Sequence, residues 1–142
     1  MTDNNKKTVL SFDFGTTRFG AAIGQTLTGG ATELPTFKAT EGIPNWDDID
    51  SIVKEWQPDI IIVGIPLHMD GSMSDTGFRA RKFKNRVKER YQLDTQGVDE
   101  RLTSFEAKGI ALKKGKNNFK QHSVDSLAAV LIFETWFNEH FG

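Results

Sequence analysis

The chain has 142 residues, no cysteine and a formal net charge of −1. That length fits one domain able to bury about 70% of its unfolded surface. The lack of cysteine excludes disulfides and cysteine-based zinc sites. No apolar run approaches the ~20 residues of a membrane helix, and the N-terminus is not leader-like, so the expectation is a soluble, cytoplasmic protein.

Residues 1–7 form a short polar stretch, expected to be a flexible tail. Thr8 to Phe14 reads as a buried strand, and Phe19 to Gly24 as its hairpin partner across the turn "GTTR". Ala31 to Ala39 is a weaker third strand, in which Pro35 implies an edge or a bulge. Asn45 can cap a helix carrying Trp46, Ile49, Ile52, Val53 and Trp56 at helical spacing, ended by Pro58. The β-branched run Ile60-Ile61-Ile62-Val63 suits a central strand covered on both faces. A loop, "PLHMDGSMSDTG", leads into a basic helix opened by Asp75 or Thr76 and running to about Arg90. Leu93 to Val98 is a further strand. Thr103 and Glu106 form a capping box for a helix to about Lys114, followed by a flexible basic loop, Gly115 to Gln121. Ser123 caps a last helix that buries Val124, Leu127, Ala128, Leu131, Ile132 and Phe133.

The resulting order is β-β-β-α-β-α-β-α-α. Three antiparallel strands come first, and helical crossovers then make the later strands parallel. The expected class is α/β: a single domain over residues 1–142 with a mixed five-stranded sheet and helices on both faces, the layout of the ribonuclease H fold.

Three acids stand at the ends or beginnings of expected elements: Asp13, Glu100 and Asp125. A carboxylate on a core element is costly unless it is paired or binds a cation. Alternation sends Val9, Ser11 and Asp13 to one face of the first strand and Leu10, Phe12 and Phe14 to the other. Hard cations such as Mg²⁺ or Mn²⁺ take oxygen ligands, and a pair of them can activate water against a phosphodiester without a side-chain nucleophile. Blander roles also exist for each acid. Asp13 can cap the following turn, Glu100 can pair with Arg101 or Arg18, and Asp125 suits the first turn of a helix through its dipole. Asp70 and Asp99 are spare ligand candidates, with Asp70 better suited to a glycine turn. His68 and His122 lack a second histidine at ligand spacing.

The near-neutral total hides a segregated charge. Seven basic residues and one acid lie between Arg79 and Arg90, and five lysines with no acid lie between Lys108 and Lys120. Lys84, Arg86 and Lys88, or Lys113, Lys114 and Lys116, are the candidate contacts to a phosphate backbone. Ordinary solvated helix faces would look the same.

The segments "DFGTTRFGAAIG", "IIVGIPLHMDGS", "VDERLTSFEA" and "SVDSLAAVLIFE", in this order, resemble the YqgF family (RuvX), known as pre-16S rRNA nucleases or Holliday junction resolvase-like proteins. The resemblance spans Val9 to Phe137. It implies a ribonuclease H-like domain, a divalent metal, and Asp13, Glu100 and Asp125 as the catalytic, metal-binding triad. It further implies Arg18 on a phosphate, Arg101 and Thr103 shaping the pocket, and Gly15 allowing close backbone approach. The implied activity is two-metal endonuclease hydrolysis, with maturation of the 5′ end of 16S rRNA as the process. Cleavage of branched DNA by a homodimer, a non-catalytic nucleic-acid-binding module and, from "DFGTT", a phosphotransferase are the competing readings.

Overall fold

The computed structural model describes residues 6–99 and 124–141, with the backbone alone for positions 124 and 125. Strand β1 (Thr8–Asp13) is flanked on both sides, antiparallel to β2 (Arg18–Gln25) and parallel to β5 (Ile60–Ile65). Val9, Leu10, Ser11 and Phe12 have no exposed surface, as an inner strand with two covered faces requires. Strand β3 (Gly30–Thr40) extends the antiparallel half, and β6 (Asp94–Asp99) the parallel half.

The sheet has six strands, in the order β4-β3-β2-β1-β5-β6, not the five expected. The addition is β4 (Ile43–Pro44), two residues paired with the end of β3. Glu41 and Gly42 both adopt positive φ, 51° and 81°, and so close a two-residue hairpin. Two positive φ values are the geometry of a type I′ turn, for which Asn-Gly is the usual signal. Glu-Gly disguises it. Pro35 lies at a bulge, as expected: Pro35 and Thr36 together stand opposite Gly20 alone.

Three helices cover the sheet among the described residues. Helix α1 (Trp46–Trp56) is capped by Asn45, whose Oδ1 accepts from the Asp47 amide at 3.0 Å. Helix α2 (Asp75–Tyr91) is capped by Ser74, whose Oγ accepts from Gly77 N and donates to Pro66 O, both at 2.9 Å. A Cβ on Gly77 would stand 2.4 Å from that same Pro66 oxygen, so the helix can start this close to the end of β5 only on glycine. Helix α3 (Val124–Phe141) covers the other face. The helix expected over 103–114 and the loop 115–121 lie outside the described residues. Lys7, grouped with the polar tail on sequence, is tied to the sheet: its amide donates to Thr26 Oγ1 at 2.8 Å, and its carbonyl accepts from Thr26 N at 3.0 Å.

Each face has its own core. On one, Leu10, Phe12 and Phe14 meet Ile49 of α1 and Ala80, Phe83 and Val87 of α2. Phe83 is the hub, with ring centroids of Phe12, Phe14, Phe19 and Trp46 between 4.7 and 6.0 Å away. On the other, Val9, Ile62 and Val98 meet Ile132, Phe133 and Trp136 of α3. A Cβ on Gly24 would lie 2.6 Å from the Phe133 ring, so the absence of a side chain there seats α3 on β2.

Candidate active site

Asp13 is the last residue of β1 and is half-buried. The strand's alternation puts it on the α3 face with Val9 and Ser11. Two hydrogen bonds fix α3 over that face. Ser11 Oγ donates to Ala129 O at 2.7 Å, and Ser126 Oγ donates to Leu34 O at 2.7 Å. Val9, farther back along β1, packs with Ile132, Phe133 and Trp136, so α3 runs antiparallel to β1. Asp13 lies two strand residues beyond Ser11, about 7 Å, and position 125 one helical turn before Ala129, about 6 Å. Both steps lead toward the same end of the sheet. Positions 13 and 125, far apart in sequence, thus both lie toward that end of the sheet.

The neighbours of Asp13 across the sheet are Gly20 on β2 and Gly64 on β5. Neither carries a side chain, so the adjacent strands place no bulk beside the carboxylate. Sequence reasoning passed over both glycines. The signal was present in "RFGAA" and "VGIP", where a glycine interrupts an otherwise apolar run.

Glu100 follows β6 directly but lies outside the described residues, as do Arg101, Thr103, Lys113, Lys114 and Lys116. The end of β6 is level with this site: Val98 pairs with Gly64, and Asp99 with Ile65. Gly15 has a structural reason, since a Cβ there would sit 2.1 Å from the Arg18 carbonyl oxygen. The turn after Asp13 closes only without that atom. Arg18, exposed, opens β2 on the far side of the turn.

The α2 cations Lys84, Arg86 and Lys88 are not gathered with Asp13. Helix α2 packs on the Leu10–Phe12 face, so the sheet separates it from the face of Asp13. Among the described residues, no three His, Asp or Glu side chains form a metal-holding cluster. Asp70 serves its turn: Oδ1 accepts from Ser72 Oγ at 2.7 Å and Ser72 N at 2.9 Å, beside Gly71 at φ 91°. The Ser72 side-chain bond, then the backbone bond, hold its carboxyl below the ordinary value.

A second electrostatic centre links α1 and α2. Asp50 receives two hydrogen bonds from Arg90, at 2.9 and 2.7 Å, and another from the Tyr91 hydroxyl. The Arg90 bonds, then the Tyr91 bond, lower its pKa to about 2. Burial, then the bond to Asp50, raises that of Tyr91.

A family model described as RuvX, Holliday junction resolvase, matches residues 7–139. The chain belongs to the RuvX family. A protein of Saccharophagus degradans named "Putative pre-16S rRNA nuclease" is 51% identical over 135 residues, covering 94% of this chain and 95% of its own. A protein of the same name from Photorhabdus laumondii is 47% identical, covering 96% and 99%. Among solved structures, T. thermophilus RuvC in complex with a Holliday junction substrate superposes with a TM-score of 0.59 at 13% identity, covering 96% of this chain and 98% of that one. The Fowlpox virus resolvase with Holliday junction DNA gives 0.55 at 12% identity, covering 95% and 99%. At such identities the likeness shows the fold, which this RuvX-family chain shares: ribonuclease H-like, as its element order suggests. None of its described helices is long and apolar enough to cross a membrane.

Proposed function

We propose that this chain is a cytoplasmic endonuclease that hydrolyses phosphodiester bonds in structured RNA, acting at the 5′ end of the precursor of 16S rRNA. The observation that supports the reading is the placement of Asp13, at the end of β1, between two glycines on the face that α3 covers. The names of the relatives supply the substrate class.

Asp13, Glu100 and Asp125 are the proposed ligands of Mg²⁺ or Mn²⁺. An all-oxygen donor set suits these hard cations, and a carboxylate at the end of a core strand is of the kind that a cation stabilises. Such ions would supply charge stabilisation for the attacking and leaving oxygens of an in-line displacement. The chain's own residues do the rest. The Ser11 and Ser126 hydrogen bonds hold α3 in register with β1. Gly20 and Gly64 leave space for the scissile phosphate. Arg18, Arg101 and Thr103 contact its oxygens, and the lysines 113, 114 and 116 contact the flanking backbone. The products carry a 5′-phosphate and a 3′-hydroxyl.

Resolution of branched DNA is the second reading, favoured by the family description and using the same groups. It requires a dimer, because two opposed strands must be cut symmetrically. Precursor 16S rRNA and a four-way DNA junction, each with Mg²⁺ or Mn²⁺, should be offered to the wild type and to Asp13→Ala. The RNA should be cut, and the variant should lose more than about 100-fold in rate, beyond the cost of removing an outer partner of a metal ligand. Its affinity for the RNA should persist. Cleavage of the junction alone would move the assignment to the second reading. Wild-type rates in Asp13→Ala would remove the site, and binding of both substrates without cleavage of either would leave a non-catalytic module.

A further inference from the structure

We propose that the cleft between α2 and the β3–β4 hairpin is a second subsite for the phosphate backbone of the nucleic acid, working through Arg79, Lys82 and Arg86. The class of ligand rests on the nuclease reading above. The cleft has a volume of about 280 Å³ and is lined by these three cations, Glu41 to Pro44, Trp46 and Phe83. The cations recur at i, i+3 and i+7, which places them on one side of α2. Lys82 and Arg86 are exposed, and the one ion pair among the described residues, Arg90 with Asp50, involves neither. Arg79 donates to the Glu41 carbonyl at 2.9 Å, which leaves its charge uncompensated. Among the described residues of the lining, Glu41 brings the only carboxylate, against three cations. Exposed, unpaired and convergent cations are what a polyanion requires.

Trp46 decides between backbone and base. Its ring is stacked on Phe83, with centroids 5.8 Å apart, and the Arg90 guanidinium lies over it at 5.1 Å. With Phe83 and Arg90 both against its ring, Trp46 is a poor platform for a nucleobase, and the three cations make phosphate the group that the cleft recognises, independent of sequence. The cleft also joins the active site. Gly42 N donates to Thr16 O at 2.8 Å, Ala39 N donates to Thr17 O at 2.9 Å, and the Phe14 ring lies beneath Gly42. The rim of the cleft is therefore anchored on the loop that follows Asp13. A strand leaving Asp13 reaches α2 by crossing that loop, which brings cations on the opposite side of the sheet into use.

The test measures binding of a labelled single-stranded RNA oligonucleotide over a range of salt concentrations. It compares the wild type, Lys82→Gln/Arg86→Gln, and a control, Lys7→Gln/Lys54→Gln, with the same change in charge elsewhere on the surface. All four positions are exposed, so both variants should fold. The cleft variant should lose about 1.4 from the slope of log K against log salt, the value for two phosphate contacts on a single strand. The control should keep the wild-type slope. Equal slopes in all three proteins, or equal losses in both variants, would overturn the cleft and leave the nuclease reading intact. Failure of the wild type to bind the oligonucleotide would overturn the cleft, and the nuclease reading would fall only if the same protein also left precursor 16S rRNA uncut.

Discussion

Strand β1 sends Leu10, Phe12 and, just past its end, Phe14 to one face of the sheet, and Val9, Ser11 and Asp13 to the other. The first face meets α1 and α2 through aromatic rings packed around Phe83. The second meets α3 through an apolar patch at one end and hydroxyl-to-carbonyl hydrogen bonds at the other. Apolar packing is non-directional and tolerates small shifts, whereas a hydrogen bond fixes a helix to a strand within a few tenths of an ångström. Division of labour follows from this difference. The aromatic face holds the sheet together, and the polar one sets the position of α3 against Asp13.

Truncation on each face sharpens that contrast. Ile49 is the fully buried anchor of α1 on the aromatic face. Ile49→Ala should cost about 2–5 kcal/mol in denaturant unfolding, while the folded protein keeps its cleavage rate. Ser11→Ala should cost only about 1 kcal/mol, the net worth of one hydrogen bond, yet lower the cleavage rate several-fold as α3 loses its register. The reverse ranking of the two variants in rate would dissolve the distinction between the faces.

The smallest effect belongs to the Asp50–Arg90 pair on the surface between α1 and α2, whose side chains are 41% and 44% exposed. The folded-state pKa of Asp50, about 2, lies below the ordinary 3.8. As pH falls, the unfolded chain takes up the proton first. The contribution of the pair is therefore complete above about pH 4 and is lost as pH falls toward 2. Asp50→Asn should lower the melting temperature slightly at pH 7, and the difference from wild type should vanish near pH 2. A difference that grew on acidification would show the sign to be wrong.

Much of the fold was legible in the sequence because its signals are local. The Asn45 cap, the β-branched run of β5 and the alternation of β1 each fix an element from a few residues. The β4 hairpin was not legible, because Glu41 takes a positive φ that its side chain does not advertise. The site was legible in part. Asp13 could be assigned to a face from alternation alone, and that face is the one α3 covers. Its glycine neighbours each interrupt an apolar run, but that both flank Asp13 could not be read, because register between strands is a tertiary property that no single segment encodes. The α2 cations show the converse difficulty. Their clustering in sequence was plain, but the sheet between them and Asp13 appears only in three dimensions.

Paramagnetic broadening by Mn²⁺ tests the central claim, that β1 and α3 converge on one cation site. In a titration of the wild-type protein followed by amide NMR, the signals of Asp13, Gly64 and residues 125 and 126 should broaden together at the lowest Mn²⁺ concentrations, and Asp13→Asn should abolish the effect. Broadening that begins elsewhere, or that leaves the start of α3 untouched while Asp13 responds, would contradict the account.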